Sequence, residues 1–533
     1  MLRRAWKPVA VTVVIGAPAY YYYKTRYNAP QTFDFPIRIK GPSGKSEMVT
    51  RSFPLLPMKE LDARIQENAT SESHVRPDGT SWKYTTANLA SNSPIEDAHS
   101  NQIVGRDVSD PSAPGDYLFF SVMDGHGGYE TSRLLSRVLI QGVALELSKL
   151  IEDPKALAQS GLLNRLRSIL WLAPSKAVKA PLDADPGRVS QAIENAFVNF
   201  DNELLQAPLR VLANNISPED YKTKTVPDLS QHPLSLTTML PAISGICALM
   251  AIFDTAHHDL YVACVGDSRA VAGVWQPTSN GQGQWRIEVL SEDQTGRNPS
   301  EIARIQSEHP KDEEDYVIRE GRVLGGLEPS RAFGDARYKW PRAVQDVLSE
   351  AFMVGNGKPL RPPPALFKSP PYVTARPVVT HRKMSLSSTS GPETLENTKR
   401  FLVLATDGLW DQLSNEEVVG LVGGHLSSLK GKISKSDLPN LVPTASGSQG
   451  VNGKKERTIN KEGSWTFTDS NISAHLIRNA FGGGDEQALR RMLSIPPPHS
   501  RRYRDDVTVT VICWEDGNEA QAEVFTKKVK SKL

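Results

Sequence analysis

Aspartates lie at the ends of several apolar, strand-like segments of the sequence. Asp124 follows the run YLFFSVM inside MDGHGG, and Asp407 follows FLVLAT inside TDGLWD. Asp505 and Asp506 precede the alternating run VTVTVICW, and Asp267 lies in VGDSR between two apolar runs. If these strand ends share one rim of a sheet, the carboxylates converge and repel each other. Divalent cations relieve that repulsion, and all-oxygen ligation favours Mg²⁺ or Mn²⁺ over zinc.

Further groups with acid–base or metal-binding chemistry lie beside these aspartates. Glu96 and Asp97 are adjacent in SPIEDAH, and His126 follows Asp124 in a glycine-rich loop. Each motif alone is more typical of a turn or a solvated pair, so the prediction of a metal site depends on their joint occurrence. Two ions about 3.5–4 Å apart lower the pKa of a shared water toward roughly 7, and the resulting hydroxide suits phosphoester hydrolysis. His126 is then placed to protonate the leaving group.

The segments that carry these residues predict antiparallel sheets packed against helices. Strand-like runs cover 117–123, 245–253, 259–265, 270–275, 401–406 and 507–514. Helical patterns cover 129–147, 189–205 and 299–308. Because the strands come in hairpin pairs while the helices cluster elsewhere, an α+β fold is favoured over a doubly wound parallel sheet.

All of these residues fall within one predicted domain, 71–514, which lies between an N-terminal targeting segment, 1–50, and a basic tail, 515–533. Three stretches inside the domain are predicted inserts, at 207–236, 341–372 and 427–465. The first is of mixed polarity, and the prolines of the second deny regular structure. The third is rich in Ser, Gly, Lys and Asn, so it is predicted to loop out or to be disordered.

The composition is that of an ordinary folded protein, with 533 residues of which 39% are hydrophobic and 23% charged. The 62 basic and 60 acidic residues give a net charge of +2, so the chain lacks the basic excess of nucleic-acid-binding domains. We therefore expect no nucleic-acid partner. Cys247, Cys264 and Cys513 lie in apolar runs without metal-ligand spacing. They are predicted to be buried thiols, which excludes a disulfide framework.

The N-terminal segment is basic and apolar, and its first acidic residue is Asp34. The run VAVTVVIGAPAYYYY at 9–23 is slightly shorter than the roughly 20 residues that span a bilayer as a helix. It is compatible with a secretory signal, a mitochondrial transit segment, a short inner-membrane anchor behind a transit segment, or an apolar terminus without targeting function. A basic start without acids favours the mitochondrion, in the matrix or the intermembrane space.

The other end of the chain carries a second targeting signal. The last three residues are Ser531, Lys532 and Leu533, a peroxisomal signal when they form a free terminus. Lys527 and Lys528 precede them, so the tail is predicted to be solvated and available to a peroxisomal import receptor. The two ends together predict a localisation divided between mitochondria and peroxisomes.

Seven segments resemble, in order, the motifs of the metal-dependent protein serine/threonine phosphatases of type 2C. They are IEDAHS, FFSVMDGHGG, VACVGDSRAV, SEDQTGRNPSEIARI, GGLEPSRAFGD, LVLATDGLWD and YRDDVTVTVI. The resemblance covers the chain from about Ser93 to Trp514, interrupted by the predicted inserts. It implies a fold of two stacked antiparallel β-sheets flanked by helices, a four-layer αββα sandwich.

The resemblance also implies a ligand set for two ions of Mg²⁺ or Mn²⁺. Asp124 resembles the carboxylate that bridges both ions. The Gly125 carbonyl and Glu96 complete the ligands of one ion, and Asp407 and Asp505 resemble the ligands of the other. Asp505 takes this role rather than its neighbour because the family usually has Asp-Asn where this chain has Asp-Asp.

The remaining roles are implied in the same way. Asp97 is similar to the residue that holds a metal-bound water, His126 resembles the general acid, and Asp267 resembles a ligand of a weaker third metal. Most members place a phosphate-binding Arg four residues before the Glu, but this chain has Asn92 there. An asparagine offers substrate phosphate a weaker contact because it cannot form a bidentate charged pair. Another Arg or the metals must then hold the phosphate.

The same substitution, in an Asn-x-Pro-Ile-Glu-Asp context, resembles the mitochondrial pyruvate dehydrogenase phosphatases. LEPSRAFGDARYKW, PPYVTARPVVT and LATDGLWDQL add to this likeness. The predicted substrate is therefore the phosphorylated pyruvate dehydrogenase complex. Two alternatives stay open: the same chemistry on another mitochondrial or peroxisomal phosphoprotein, and a catalytically dead scaffold, although every ligand position is filled.

Overall fold

A computed structural model describes most of the chain between its two ends. The described residues are 31–40, 46–75, 80–105, 115–151, 185–277, 283–384, 400–448 and 462–515. The predicted anchor at 9–23 and the Ser-Lys-Leu terminus lie outside them. No helix among the described residues combines the length and the apolar character that crossing a bilayer requires.

Two large β-sheets form the centre of the fold. In chain order the strands are β1 Thr32–Lys40, β2 Ser46–Pro54, β3 Thr70–Val75, β4 Ser81–Leu89, β5 Ala98–Gly105, β6 Asp116–His126, β7 Gly245–Asp254, β8 Asp259–Val265, β9 Arg269–Pro277, β10 Gly283–Val289, β11 Ile318–Arg319, β12 Arg322–Val323, β13 Phe333–Gly334, β14 Val378–Lys383, β15 Arg400–Ala405, β16 Gly431–Ser434, β17 Thr444–Ser448, β18 Ser464–Phe467 and β19 Val507–Glu515. The seven-stranded sheet has the order β17-β10-β9-β15-β19-β4-β3. The six-stranded sheet has the order β14-β8-β7-β6-β5, with β13 beside β7.

Pairing within these two sheets is antiparallel except between β10 and β17, which run parallel. The sheets stack face to face, and this explains the long apolar runs. Along β6, Phe120 belongs to the core between the sheets, whereas Phe119 belongs to the core beneath the helices. Along β19, Trp514 and Val511 divide in the same way. Both faces of these strands are buried, so nearly every position is apolar.

Helices cover the outer face of each sheet. In chain order they are α1 Met58–Gln66, α2 Glu130–Ile151, α3 Pro186–Asn215, α4 Pro218–Thr223, α5 Ser235–Ile243, α6 Pro299–Glu308, α7 Ala336–Lys339, α8 Arg342–Leu348, α9 Asp407–Trp410, α10 Asn415–Leu426, α11 Leu438–Leu441, α12 Ile472–Ala480 and α13 Glu486–Ser494. Helices α2 and α3 pack on the six-stranded sheet, and α1, α10, α12 and α13 pack on the seven-stranded sheet. The predicted α+β sandwich of two stacked sheets flanked by helices is thereby confirmed.

Helix α6 has the bounds that the sequence predicts because both of its ends carry strong local signals. The Asn298 side chain accepts a hydrogen bond from the Ser300 backbone N–H, and Pro299 occupies the first helical position. The helix ends before His309, which precedes Pro310 and has an extended backbone.

The predicted insert at 207–236 is helical in its first part, because helix α3 continues through Pro208 to Asn215; that this stretch is an insert stays a prediction. Val211 and Leu212 on this extension are buried in a cluster with Met239 of α5. The predicted irregularity of 341–372 is wrong where it covers α8 and the following π-helical turn Ser349–Val354. Residues 358–372, which are all described, contain no helix or strand, as their prolines predict.

The expectation that 427–465 loops out is wrong for the part that the structure describes. Strand β17 extends the seven-stranded sheet, and Leu438 and Val442, which precede it in the chain, are buried in the core. The sequence does not predict this ordered structure, because the segment is mostly polar and contains only a few apolar residues. Residues 449–461 lie outside the described residues. Of the three predicted buried thiols, Cys247 and Cys264 are buried and Cys513 is half-buried.

Candidate metal centre

Strand register brings three of the predicted aspartates to one rim of the stacked sheets. In the pairing of β9 with β15, Arg269 lies opposite Ala405. Asp267 precedes this pair by two residues and Asp407 follows it by two, so antiparallel pairing sets them at the same level. Asp124 arrives from the other sheet, near the end of β6, and accepts a hydrogen bond from the Asp407 N–H at 3.2 Å. One carboxylate oxygen from each of the three lies within 4.8 Å of the others.

The electrostatics of this cluster suit a cation. Burial raises the pKa of Asp124 well above its usual range, and the nearby carboxylates of Asp407, Asp97 and Asp267 raise it further. Burial, followed by Asp506, also raises the pKa of Asp97, although hydrogen bonds from hydroxyl groups oppose this. The largest influences on the pKa of Asp124 are its burial and the neighbouring acids, and all of them raise it. The donor set is all oxygen, which fits Mg²⁺ or Mn²⁺.

Asp97 lies directly behind the cluster. Its carboxylate is buried, and Oδ2 accepts a hydrogen bond from the Thr406 hydroxyl at 2.9 Å. Thr406 precedes Asp407, and its own hydroxyl also accepts the Thr508 N–H at 2.9 Å. Asp97 is therefore held by the same chain segment that carries Asp407.

Gly125 and Glu96 form the wall next to Asp124. A Cβ on Gly125 would lie 2.1 Å from the Glu96 carbonyl oxygen, so only glycine allows the two backbones to approach this closely. Burial raises the pKa of the half-buried Glu96 carboxyl, with the charge of Arg501 opposing the shift. The cluster of three aspartates does not include Glu96, whose role as a ligand stays a prediction.

The pair Asp505 and Asp506 divides between two different tasks. Asp505 is half-buried and forms an ion pair with Arg501. It too lies outside the cluster of three, and its role as a ligand stays a prediction. Asp506 is buried and holds the loop of Glu96: its Oδ1 accepts the N–H of Asn92 at 2.9 Å, and its Oδ2 accepts the Glu96 N–H at 2.8 Å.

Asn92, predicted as a weak substrate-binding residue, has its side chain engaged within this loop. Its Nδ2 donates to Asp506 Oδ2 at 2.9 Å and to Glu96 Oε2 at 3.3 Å. An amide nitrogen has two hydrogens to donate, and both are used here. The structure therefore gives Asn92 a positioning role, and leaves it no side-chain N–H for a phosphate group.

His126 forms a pair with Asp335, a residue that sequence reasoning did not single out. The distance from His126 Nε2 to Asp335 Oδ2 is 2.7 Å. Burial lowers the pKa of His126, but the charge of Asp335 and its hydrogen bond outweigh burial, and the net shift is upward. Gly245 makes room for the pair, since a Cβ there would lie 2.2 Å from His126 Nε2. His126 is thus oriented by a buried carboxylate, which favours its protonated form.

Sequence reasoning also did not single out Arg501, and it gave Asp506 no role of its own. Asp335 follows a glycine at the end of SRAFG, which is the same strand-end signal that identified Asp124 and Asp407. Asp506 was set aside because its neighbour took the ligand role. No local signal identifies Arg501, because its importance depends on two carboxylates that other parts of the sequence bring near it.

Comparison with known proteins agrees with this geometry. The family model described as protein phosphatase 2C matches residues 89–438. This chain belongs to the protein phosphatase 2C family. It is accordingly a metal-dependent protein serine/threonine phosphatase, and the predicted family, fold and enzyme class are confirmed.

Several curated relatives match this phosphatase over most of their length. Mitochondrial pyruvate dehydrogenase (acetyl-transferring) phosphatase 1 of Saccharomyces cerevisiae is 35% identical over 86% of this chain and 73% of its own. A protein phosphatase 2C homolog of Schizosaccharomyces pombe is 34% identical over 83% and 82%. The human mitochondrial pyruvate dehydrogenase (acetyl-transferring) phosphatase 2 is 32% identical over 81% and 77%.

Proposed function

We propose that this phosphatase removes phosphate from serine or threonine of the pyruvate dehydrogenase complex inside mitochondria. The observation that carries the proposal is the similarity to two proteins named as mitochondrial pyruvate dehydrogenase phosphatases, 35% and 32% identical over more than four fifths of this chain. The basic, acid-free start of the sequence supports the same location. Residues 9–23, which we propose as an inner-membrane anchor or part of a cleaved segment, lie outside the described residues.

The residues of the centre fit two ions of Mg²⁺ or Mn²⁺. Asp124, Asp267 and Asp407 supply clustered carboxylate oxygens, and we assign the carbonyl of Gly125, which follows Asp124 in the chain, as a further ligand. We assign Glu96 and Asp505 as further ligands, and Asp267 as a ligand of a weaker third ion. When bound, such ions lower the pKa of water toward roughly 7 and stabilise negative charge on the transferring phosphate.

The side chains of the protein then perform the proton transfers. Asp97, held by Thr406, accepts a hydrogen bond from the attacking water. The water oxygen bonds to phosphorus as the phosphorus–oxygen bond to serine breaks, and His126 donates its proton to the departing serine oxygen. The proton lost by the water restores the one that His126 gave, so water and phosphoester become phosphate and alcohol. Asp335 positions His126 for this donation.

The substrate is tested with the purified chain lacking roughly its first 30 residues, which lie outside the described part. Phosphorylated pyruvate dehydrogenase complex and a generic phosphopeptide are each incubated with Mg²⁺, with Mn²⁺ and with EDTA. Metal-dependent release of phosphate from both, with faster release from the complex, supports the proposal. Equal or slower release from the complex rejects the substrate while retaining the chemistry.

A second candidate is the same chemistry on a peroxisomal phosphoprotein. The terminal Ser531-Lys532-Leu533 supports it, and its receptor would be the peroxisomal import receptor. Two fluorescent fusions test the location, one at each end, so that each leaves the other terminus native. Peroxisomal signal from the N-terminal fusion that disappears when Leu533 is deleted supports the second candidate. Mitochondrial signal alone from both fusions contradicts it.

A further inference from the structure

Arg501 is an exposed cation beside Asp505, one of the predicted metal ligands. It lies in the 3₁₀ turn Ser500–Arg502, just before Asp505, and its guanidinium pairs with the Asp505 carboxylate. Its side chain is 40% exposed, whereas that of Asp505 is 23% exposed. Its charge also opposes the upward pKa shift that burial causes at Glu96. Arg501 therefore pairs with one predicted metal ligand, and it faces solvent.

The backbone that carries Arg501 is firmly held. The Ser500 hydroxyl donates to the Ser91 carbonyl oxygen at 2.6 Å, and the Ser91 hydroxyl donates to the Arg504 carbonyl oxygen at 2.7 Å. All of these groups belong to the two loops that Asp506 joins. The base of the Arg501 side chain is consequently fixed, while its guanidinium keeps access to solvent.

Other donors near the centre are already engaged. Arg269 is buried and forms two hydrogen bonds with Asp293, at 2.9 Å from Nε and 2.5 Å from Nη2, and one with Asn415 at 2.8 Å. Arg504 is buried and donates to the Ala90 carbonyl oxygen. The Asn92 amide is used within its loop. The hydrogen bonds of these three residues hold the loops, so Arg501 is a better candidate than they are to receive a dianionic phosphate.

We propose that Arg501 binds the phosphate group of the substrate at this centre. A guanidinium has five N–H donors in a planar fork, so pairing with one Asp505 oxygen leaves others for phosphate oxygens. Its exposed guanidinium beside Asp505, a predicted metal ligand, can be reached by a phosphorylated side chain from solvent. The proposal deepens the proposed function and rests on it, because it assigns the contact that recognises the phosphorylated group.

The test compares Arg501→Ala and Arg501→Lys with Arg502→Ala, a matched control at the exposed neighbour in the same turn. Calorimetry measures binding of inorganic phosphate to the Mn²⁺-loaded protein, and Mn²⁺ binding is measured for each variant. We expect Arg501→Ala to weaken phosphate binding about tenfold or more. Arg501→Lys should lie between wild type and Arg501→Ala, because lysine keeps the charge but loses the fork. Arg502→Ala should bind phosphate like wild type.

Kinetics with a phosphopeptide provide the second measurement. Arg501→Ala should raise KM by a factor similar to its loss of phosphate affinity, with a smaller change in kcat. Unchanged phosphate binding in Arg501→Ala overturns the proposal. So does a loss of phosphate binding that merely follows a loss of Mn²⁺, since Arg501 would then only support Asp505. If wild type binds phosphate through Arg501 but hydrolyses no phosphoprotein, the proposed function fails and the binding assignment stands.

Discussion

Two regions of this phosphatase contain buried carboxylates, and they treat the negative charge in opposite ways. Glu301 on α6 is buried, but its oxygens accept hydrogen bonds from Arg331 and Arg304, each at 2.7 Å at the closest. Burial raises the pKa of Glu301, but these bonds outweigh it and lower the pKa to about 2. At the metal centre, burial and neighbouring acids both raise the pKa of Asp124.

The difference indicates that the protein supplies arginine counter-charges to Glu301, whereas the carboxylates around Asp124 suit a bound cation. Around Glu301 the charges balance within the chain, so the group contributes to stability. Around Asp124 the carboxylates repel each other, so the metal-free protein carries a cost that cations remove. Buried acids of the same class therefore distinguish a structural ion-pair network from a functional site.

The largest expected effect comes from Asp124→Asn, which keeps the shape and removes the charge. We expect kcat at saturating Mn²⁺ to fall by at least about three orders of magnitude, because the ions lose the ligand that we propose as central. We also expect the metal-free variant to melt at the same temperature as wild type or higher, since one repelling charge is gone. Retained activity, or a metal-free protein that melts much lower, contradicts the comparison.

The matching change in the other region is Glu301→Gln, and it should act in the opposite direction on stability. The difference between the ordinary pKa of 4.5 and about 2 corresponds to about 3 kcal/mol of stability. Urea unfolding at pH 7 should show a loss of about that size, with kcat of the folded fraction nearly unchanged. A loss of stability below about 1 kcal/mol would contradict the proposed difference between Glu301 and Asp124.

The pH dependence of unfolding sharpens the same prediction. The pKa of Glu301 is lower in the folded protein than in the unfolded chain, so its contribution is fully present above pH 4.5. It is lost as the pH falls toward about 2, because the unfolded chain binds the proton more tightly. Glu301→Gln should therefore lose less stability than wild type over this acid range.

A smaller effect is expected from Asp335→Asn, which keeps the contact with His126 but removes the charge. We expect turnover of a phosphoserine peptide to fall about tenfold, since proton donation by a positioned side chain typically contributes 10²–10⁴-fold in all. Turnover of p-nitrophenyl phosphate, whose leaving group needs no proton at neutral pH, should change much less. His126→Ala is the reference variant with the same pattern. An equal loss on both substrates contradicts the assigned proton donation.

The smallest effect is expected from Asn92→Ala, which removes the hydrogen bonds that the Asn92 amide donates to Asp506 and Glu96. The variant should lose about 1 kcal/mol of stability and need a few-fold more Mn²⁺ for half-maximal activity. Asn68→Ala is the control, because the Asn68 side-chain amide donates an exposed hydrogen bond to Asn88 Oδ1 at 2.9 Å, a contact of the same chemical type. If Asn92→Ala and Asn68→Ala have the same Mn²⁺ requirement, the loop of Glu96 does not depend on Asn92.

The sequence predicts those parts of the fold and site that have local signals. The apolar runs that became β6, β15 and β19 are visible because both of their faces are buried, and the aspartates at their ends stand out for that reason. Helix α6 carries its own start and stop signals, Asn298 and Pro310.

Other parts depend on contacts between distant positions. His126 and Asp335 are separated by 209 positions, and Asn92 and Asp506 by 414, so no local pattern pairs them. Helix α3 continues through Pro208 because Val211 and Leu212 pack against α5, which propensity alone does not reveal. The polar segment with β17 joins the sheet through backbone pairing, which depends little on side-chain type.

The most direct test of the account measures binding of Mn²⁺ to metal-free protein by calorimetry, for wild type, Asp124→Asn and Glu301→Gln. We predict that wild type and Glu301→Gln bind the ion alike, at a temperature where both are folded, and that Asp124→Asn loses this binding. Wild-type protein that binds no Mn²⁺, or Asp124→Asn that binds it as wild type does, would contradict the claim that this cluster of carboxylates forms the metal centre.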